Sequence, residues 1–477
     1  MAFNSSPYLI LLIVAVAVYW LLPVGARRIF VFLASLAFYA SWGIVFVWLP
    51  LFVAVIVYAC GKQMQAEPGS GKRWAWLGIT CLLALLAIFK YRGFLWGNLA
   101  MLTGWPEASS RSLATSFAFP MGISFYTFEA IGYLIDVRQG RVKMPPFLDL
   151  CLFFFFWPNI LSGPMVRARE LVPQLGFHKA FEARFIFEGA DRVIWGLVQK
   201  TVIANVLGVW VDRGFAPGLH SRPSTLDGWF LAIAFGLQIY FDFAGYTNMA
   251  IGTARLLGVT LPENFRQPYH AATPPEFWAR WHMTLSRWIR DYLFFPINAK
   301  WQGAPLPLYL SLMGVMGLVG LWHGAGWTFI LWGLMHGTYL VLYRMYEAWR
   351  NLRPGVAETR AIAAVWRVGT LGAVLAAWVV FRATDLSQAG RVLSVMFYRF
   401  AVGSNYPALF YAYTVVIAVV CAVEPVVLKR LGEIEERAEA EGLSPFRVMA
   451  RPIAYLFGLL LFLLFDVNNA QFIYSQF

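Results

Sequence analysis

The sequence predicts an all-α, polytopic integral membrane protein of about ten to twelve transmembrane helices, with re-entrant or in-plane amphipathic helices among them. Three observations carry this. Hydrophobic residues fill 60% of the 477 positions and charged residues only 13%, against about 45–50% and about 25% in soluble domains. Mean hydropathy is +0.61. The apolar residues also gather in long windows nearly free of charge, the signature of spans about 20 residues in length. Such a chain is not disordered, a secreted disulfide scaffold or a soluble enzyme.

Taken in order, the windows fall at 8–22, 29–43, 44–60, 74–89, 117–135, 147–161, 192–211, 228–251, 306–322, 326–346, 364–382, 406–428 and 452–467. Several are short or broken by Gly and Pro, so ten to twelve spans are expected from these thirteen windows. The first has no Lys or Arg before it, whereas Arg27 and Arg28 follow it. That is the pattern of an uncleaved span with its N-terminus outside the cytoplasm. Lys62, Lys72, Arg73, Lys429 and Arg430 likewise abut apolar runs. The net charge of +13 is therefore read as positive-inside topology, not as a nucleic-acid surface. The longest polar stretches, 162–191, 261–305 and 429–451, do not read as a separate soluble domain. The last, with Glu433, Glu435, Glu436, Glu439 and Glu441, reads as a solvated surface helix. Cys60, Cys81, Cys151 and Cys421 share no metal-ligand spacing and suggest no disulfide framework.

Chemistry must come from the few polar residues placed in this background. Of six histidines, none pairs with another at three or four residues, and no HExxH motif, GxSxG elbow or P-loop exists. No metal is expected. Two histidines stand out.

His282 lies in a segment opened by Pro274-Pro275, with Thr273 as its cap. As one continuous helix, it sets Trp278, Trp281, Leu285 and Trp288 on an aromatic face and Arg280, Thr284, Arg287 and Asp291 on the other. His282 and Ser286 fall on the border. The pattern fits an interfacial anchor and a functional site equally well. His323 ends an apolar run after Gly314, Gly317 and Gly320, beside Trp322 and before Gly324. The glycines let another helix, or a slender ligand, approach the backbone. An ionisable group at membrane depth is a functional hypothesis by default. His336, in the next window, reads as structural. A desolvated imidazole stays neutral and can take a hydroxyl proton, so general-base catalysis is the chemistry left open.

Four blocks together resemble the membrane-bound O-acyltransferase (MBOAT) family: Tyr240 to Gly252, Glu263 to Tyr269, Glu276 to Tyr292, and Leu321 to Trp327. Phe119 to Tyr126, Ser162 to Arg167 and Phe472 to Phe477 are similar to its alginate-type polysaccharide O-acetyltransferase branch. The resemblance implies one membrane domain over 1–477: N-terminal helices at 1–116, a core at 117–346 and C-terminal helices at 347–477. It implies a fold enclosing a tunnel, with catalytic His323 inside it and catalytic His282 on its cytoplasmic side. Arg280, Trp281, Ser286, Arg287, Arg290, Asp291, Trp322 and Gly324 are candidates for binding the donor or lining the tunnel. Arg280, Arg287 and Arg290 suit donor phosphates or anionic lipid equally, with Asp242 and Asp291 holding them.

The implied activity is transfer of an acetyl group from a cytoplasmic thioester, such as acetyl-CoA serving as substrate, toward hydroxyls of an exopolysaccharide or cell-wall glycan. No cofactor is implied. The expected setting is the lipid bilayer of a bacterial inner membrane. Expected partners are an SGNH-type extracytoplasmic acetyltransferase or polysaccharide-export subunits, and not nucleic acid. Two alternatives stay open: D-alanyl transfer to teichoic acids, and a transporter or flippase. One departure bears on the acceptor or on partner docking: Ile297 to Gln302 stands where that branch has a Gly-Gly-Asn-Arg-like loop.

Overall fold

Helix boundaries follow local capping chemistry. Ser5 accepts from the Tyr8 amide to open the helix Ser6–Leu21. Thr359 does the same for Arg360–Arg382 and Asp385 for Leu386–Phe397, each relieving one amide that has no intrahelical acceptor. The computed structural model describes residues 1–67, 69–104, 120–161, 163–216, 224–299, 304–352, 359–398, 400, 402–440 and 444–465. No strand occurs among them. Phe119, Ser162, His220, Lys300 to Gln302, the segment 441–443 and the terminal block 472–477 lie outside the described residues.

Among the described residues, seven helices are long and apolar enough to cross a membrane: Ile44–Ala66, Gly71–Thr103, Ala183–Gly214, Thr225–Leu256, Pro305–His323, Arg360–Arg382 and Ala408–Val427. Ser6–Leu21 and Arg451–Phe465 are apolar but shorter. Other windows also became helices. However, Val24–Ala40, Ile123–Arg138 and Phe147–Phe155 have 17, 16 and 9 residues, less than a bilayer's thickness. Trp327–Asn351 dilutes its apolar face with His336, Arg344, Glu347 and Arg350.

The described chain divides into two compact units. The first holds Met1–Val193, Tyr246–Glu263 and Arg287–Leu293. Its core helix, Ile123–Arg138, packs on Trp48–Ala66 and Gly71–Leu86 and is buried along most of its length. A Cβ at Gly78 would lie 2.6 Å from Leu134 Cδ1, so the small residue sets the helix spacing there. Two buried polar clusters inside are hydrogen-bonded, as burial favours. Glu129 accepts from Asn159 Nδ2 at 2.9 Å and from the Val166 amide at 3.1 Å. Tyr8 and Thr253 share a hydrogen bond of 2.8 Å.

The second unit holds Ile194–Gly245, Asn264–Ser286 and Phe294–Phe477. Its most extensively packed helix pair is the hairpin Pro305–His323 and Trp327–Asn351. The π-helical segment Gln199–Ala204 places Lys200 beside Asp242; the two form an ion pair with each side chain 2% exposed. Asp242 was expected to hold arginines. Its cation is instead this lysine, a residue 42 positions earlier that helix periodicity cannot connect to it.

Candidate active site

His323 is the last residue of the helix Pro305–His323 and is 3% exposed. Backbone contact between the two helices of the hairpin fixes its height. A Cβ on Gly320 would fall 2.1 Å from the Phe329 carbonyl oxygen, and one on Gly333 would fall 2.1 Å from that of Met316. The glycines therefore serve the partner helix at Gly320, whereas Gly314 faces open space. Gly324 presses on the Phe329 ring, where an added Cβ would come within 2.2 Å. Around the imidazole stand the rings of Trp322, Trp332 and Phe381, with centroids at 4.9, 5.0 and 5.6 Å.

His282 sits at a break, not within a continuous helix. The expected amphipathic helix ends at Arg280, His282 takes a positive φ of 41°, and a second helix begins at Met283. Tertiary bonds impose the break. Asn264 lies opposite it: its carbonyl accepts from the Met283 amide at 2.8 Å, and the Arg266 amide donates to the Arg280 carbonyl at 2.9 Å. Thr273 caps the first helix as its sequence implies. The aromatic face is buried in protein: Trp281 and Leu285 are 0% exposed and Trp288 only 9%.

The Asn264 side chain does more than shape the turn. Its Oδ1 accepts from the Thr284 amide at 3.3 Å and from Thr284 Oγ1 at 2.8 Å, and lies 3.0 Å from His282 Nδ1. An amide N–H must donate, so this atom is the acceptor and His282 Nδ1 carries the proton. The basic nitrogen of the ring is then Nε2. Burial holds the His282 imidazole far below its ordinary 6.5, at about 3, so it is neutral at physiological pH. Its ring lies 4.8 Å from Phe243 and 6.4 Å from Trp322. Trp322 thus touches both histidines, and the structure brings His282, Trp322 and His323 into one cluster.

The other expected residues divide between the units. In the second, Arg280 donates from Nε and Nη2 to Glu276 at 2.9 and 2.6 Å. Ser286 Oγ donates to the Trp281 carbonyl at 3.2 Å. In the first, Asp291 accepts from Arg290 Nε at 2.8 Å and from Arg167 Nη2 at 2.5 Å. Burial would raise the Asp291 carboxyl, but these two guanidinium groups outweigh it and hold it below the usual carboxylate range. Arg167 also bonds the Arg287 carbonyl at 3.2 Å and lies 5.1 Å from the Tyr292 ring centre. Sequence reasoning missed Asn264, Arg167, Lys200, Trp332 and Trp378. Asn264 and Arg167 fell within the quoted blocks, but nothing local marked their partners.

Comparison with known proteins decides the family. The profile of MBOAT, the membrane-bound O-acyltransferase family, matches residues 34–383. The chain belongs to this family. It is a multi-pass membrane O-acyltransferase. It is 38% identical over 403 residues to the "Probable alginate O-acetylase AlgI" of Azotobacter vinelandii, covering 83% of this chain and 78% of that one. It is 34% identical to the "Peptidoglycan O-acetyltransferase" of Helicobacter pylori, covering 77% and 73%. A "Teichoic acid D-alanyltransferase" of Bacillus subtilis is 30% identical over 244 residues, covering 48% and 60%.

Proposed function

We propose that this O-acyltransferase moves an acetyl group from a cytoplasmic thioester toward hydroxyls of an exopolysaccharide or cell-wall glycan. Transfer is direct or passes through an extracytoplasmic SGNH-type acetyltransferase, and the setting is a bacterial inner membrane. The single observation that carries the reading is the pair of buried histidines on either side of Trp322, in a chain whose relatives over 83% of its length bear the name alginate O-acetylase.

In this reading a tunnel passes His323. The hydroxyl of the acceptor gives its proton to the His323 imidazole as its oxygen forms a bond to the acyl carbon. The carbon–sulfur bond then breaks, and the leaving thiolate takes that proton from the His323 imidazolium, which restores the neutral ring. General-base help of this kind supplies about 10²–10⁴-fold. His282, neutral and held as the Nδ1–H tautomer by Asn264, offers Nε2 as a relay or as an anchor for the thioester. Phosphates of a CoA-type donor would compete with Glu276 for Arg280. No resident cofactor takes part. Acetyl transfer is favoured over D-alanyl transfer because the D-alanyltransferase relative covers only 48% of the chain.

The test replaces His323 with Ala and His282 with Ala, separately, in a cell lacking the native gene. The acetyl content of the surface polymer is then measured at matched membrane levels of protein. Loss of acetyl in the His323→Ala cell supports the proposal. A His323→Ala protein that acetylates at the wild-type rate refutes it, and labelled D-alanine in the polymer would redirect it to the other acyl group.

A further inference from the structure

The proposed mechanism generates negative charge on the acyl oxygen as the hydroxyl attacks, and that oxygen needs hydrogen-bond donors placed in advance. His323 does not supply them, because its role is to take a proton. The donors must lie close by. An acyl oxygen under attack by a hydroxyl hydrogen-bonded to His323, at about 2.8 Å, is within reach of a ring whose centre is 5.0 Å from the imidazole. Trp332 is such a ring, meeting His323 edge to face at an interplanar angle of 89°.

Trp332 is 0% exposed, and its indole Nε1 has no hydrogen-bond partner among the described residues. Trp378, stacked on it at 5.7 Å, is also 0% exposed with Nε1 in the same condition. The Nε2 of His336, 1% exposed and 4.9 Å from the Trp332 ring, repeats the pattern. A buried indole N–H is a donor only, and leaving one without an acceptor costs about 1–3 kcal/mol. Natural structures satisfy the great majority of such groups. The indole N–H groups of Trp278 and Trp281, in the same aromatic cluster, are in the same condition among the described residues; what singles out Trp332 is its edge-to-face contact with the candidate base, where a ligand would bring acceptor oxygen.

We propose that Trp332 and Trp378 form a donor subsite for the acyl carbonyl oxygen of the thioester, with the Trp332 N–H hydrogen-bonding that oxygen as it becomes an oxyanion. When the C–O bond forms, the carbonyl π electrons move onto this oxygen and the hydroxyl proton goes to His323. When the tetrahedral species collapses, the carbonyl re-forms, the C–S bond breaks, and the thiolate leaves with the proton. The subsite selects the acyl group by its carbonyl, not by its chain. It rests on the reading of His323 as the base.

The experiment exchanges Trp332 for Phe, and Trp378 for Phe, keeping an aromatic ring while removing the N–H. Acetylation rate, dependence on donor concentration and melting temperature in detergent are measured beside His323→Ala. The expected result for Trp332→Phe is a fall in kcat of about 10²-fold or more with KM and melting temperature little changed. Where Phe destabilises the protein, β-(3-benzothienyl)alanine at position 332, which matches the indole in shape but lacks its N–H, gives the deciding measurement. Wild-type kcat in that variant overturns the subsite. If His323→Ala abolishes acetylation while the N–H deletions do not, only the subsite fails. If His323→Ala retains activity, the catalytic reading fails with it.

Discussion

Replacing Asn264 with Leu removes one carbonyl that three donors use. The hydroxyl of Thr284 can rotate to another acceptor, whereas the Thr284 amide and His282 Nδ1–H lose this acceptor in a buried position. At about 1–3 kcal/mol for each orphaned donor, the variant should lose about 2–6 kcal/mol of stability, enough to lower its melting temperature visibly. Activity should fall further than stability. Without the Asn264 carbonyl, the Nδ1–H tautomer loses the acceptor that favours it, and the ring loses the bond that orients it. A rate loss of about 10²-fold, within the usual range for general acid–base groups, is expected at temperatures where the variant is still folded. Asn264→Asp should separate the two effects. Its carboxylate keeps the acceptor but adds a negative charge beside the imidazole, which favours the imidazolium and shifts the acid limb of the pH–rate profile upward. The assay is acetyl transfer from labelled thioester by purified protein with its acceptor system, from pH 5 to 9, alongside thermal melting. An Asn264→Leu protein with wild-type kcat and an unchanged pH profile would refute the tautomer argument.

Other perturbations test separate contacts. Gly320→Ala forces a Cβ to within 2.1 Å of a backbone oxygen. The hairpin must spread, at a cost of about 1–3 kcal/mol, and transfer should slow because His323 lies on the next turn; unchanged melting and rate would contradict the close approach. Lys200→Met alone strands Asp242 and should destabilise by about 3–5 kcal/mol, whereas Lys200→Met with Asp242→Leu should recover most of that loss, as thermal melting can check. His282 has a folded-state pKa near 3, below its unfolded value of 6.5. Its contribution to stability is therefore present above pH 6.5 and is lost as pH falls toward 3, a trend that His282→Gln should flatten in melts between pH 4 and 7.

How much of this was visible in the sequence depended on whether the cause was local. Thr273 with Pro274-Pro275 announced its helix, because capping acts within three residues. The apolar windows located nearly all the helices, because lipid sets their length and composition. The glycines before His323 promised a close approach, though not which partner would fill it. By contrast, helical periodicity carried the His282 segment straight through Trp281, and the chain turns there. The cause is Asn264, 18 positions earlier. The Arg167 and Asp291 pair spans 124 positions, and the indoles of Trp332 and Trp378 meet from different helices. In each case the residue type is ordinary and only its tertiary neighbour makes it informative.

The backbone contacts at Gly320 and Gly333 also limit where motion can enter. At those two positions the helices touch main chain to main chain, with no side chain between to change rotamer, so the spacing of the His323 helix and the Trp332 helix is fixed there by backbone. Bilayer thinning, tilt or thermal breathing can carry the pair along without altering the spacing of its two rings. A change in access to His323 would then fall to a third element. The helix Arg360–Arg382 meets the cluster differently, through the side chains of Trp378 and Phe381. Rocking of this one helix would vary access to the histidine while the catalytic spacing stays constant.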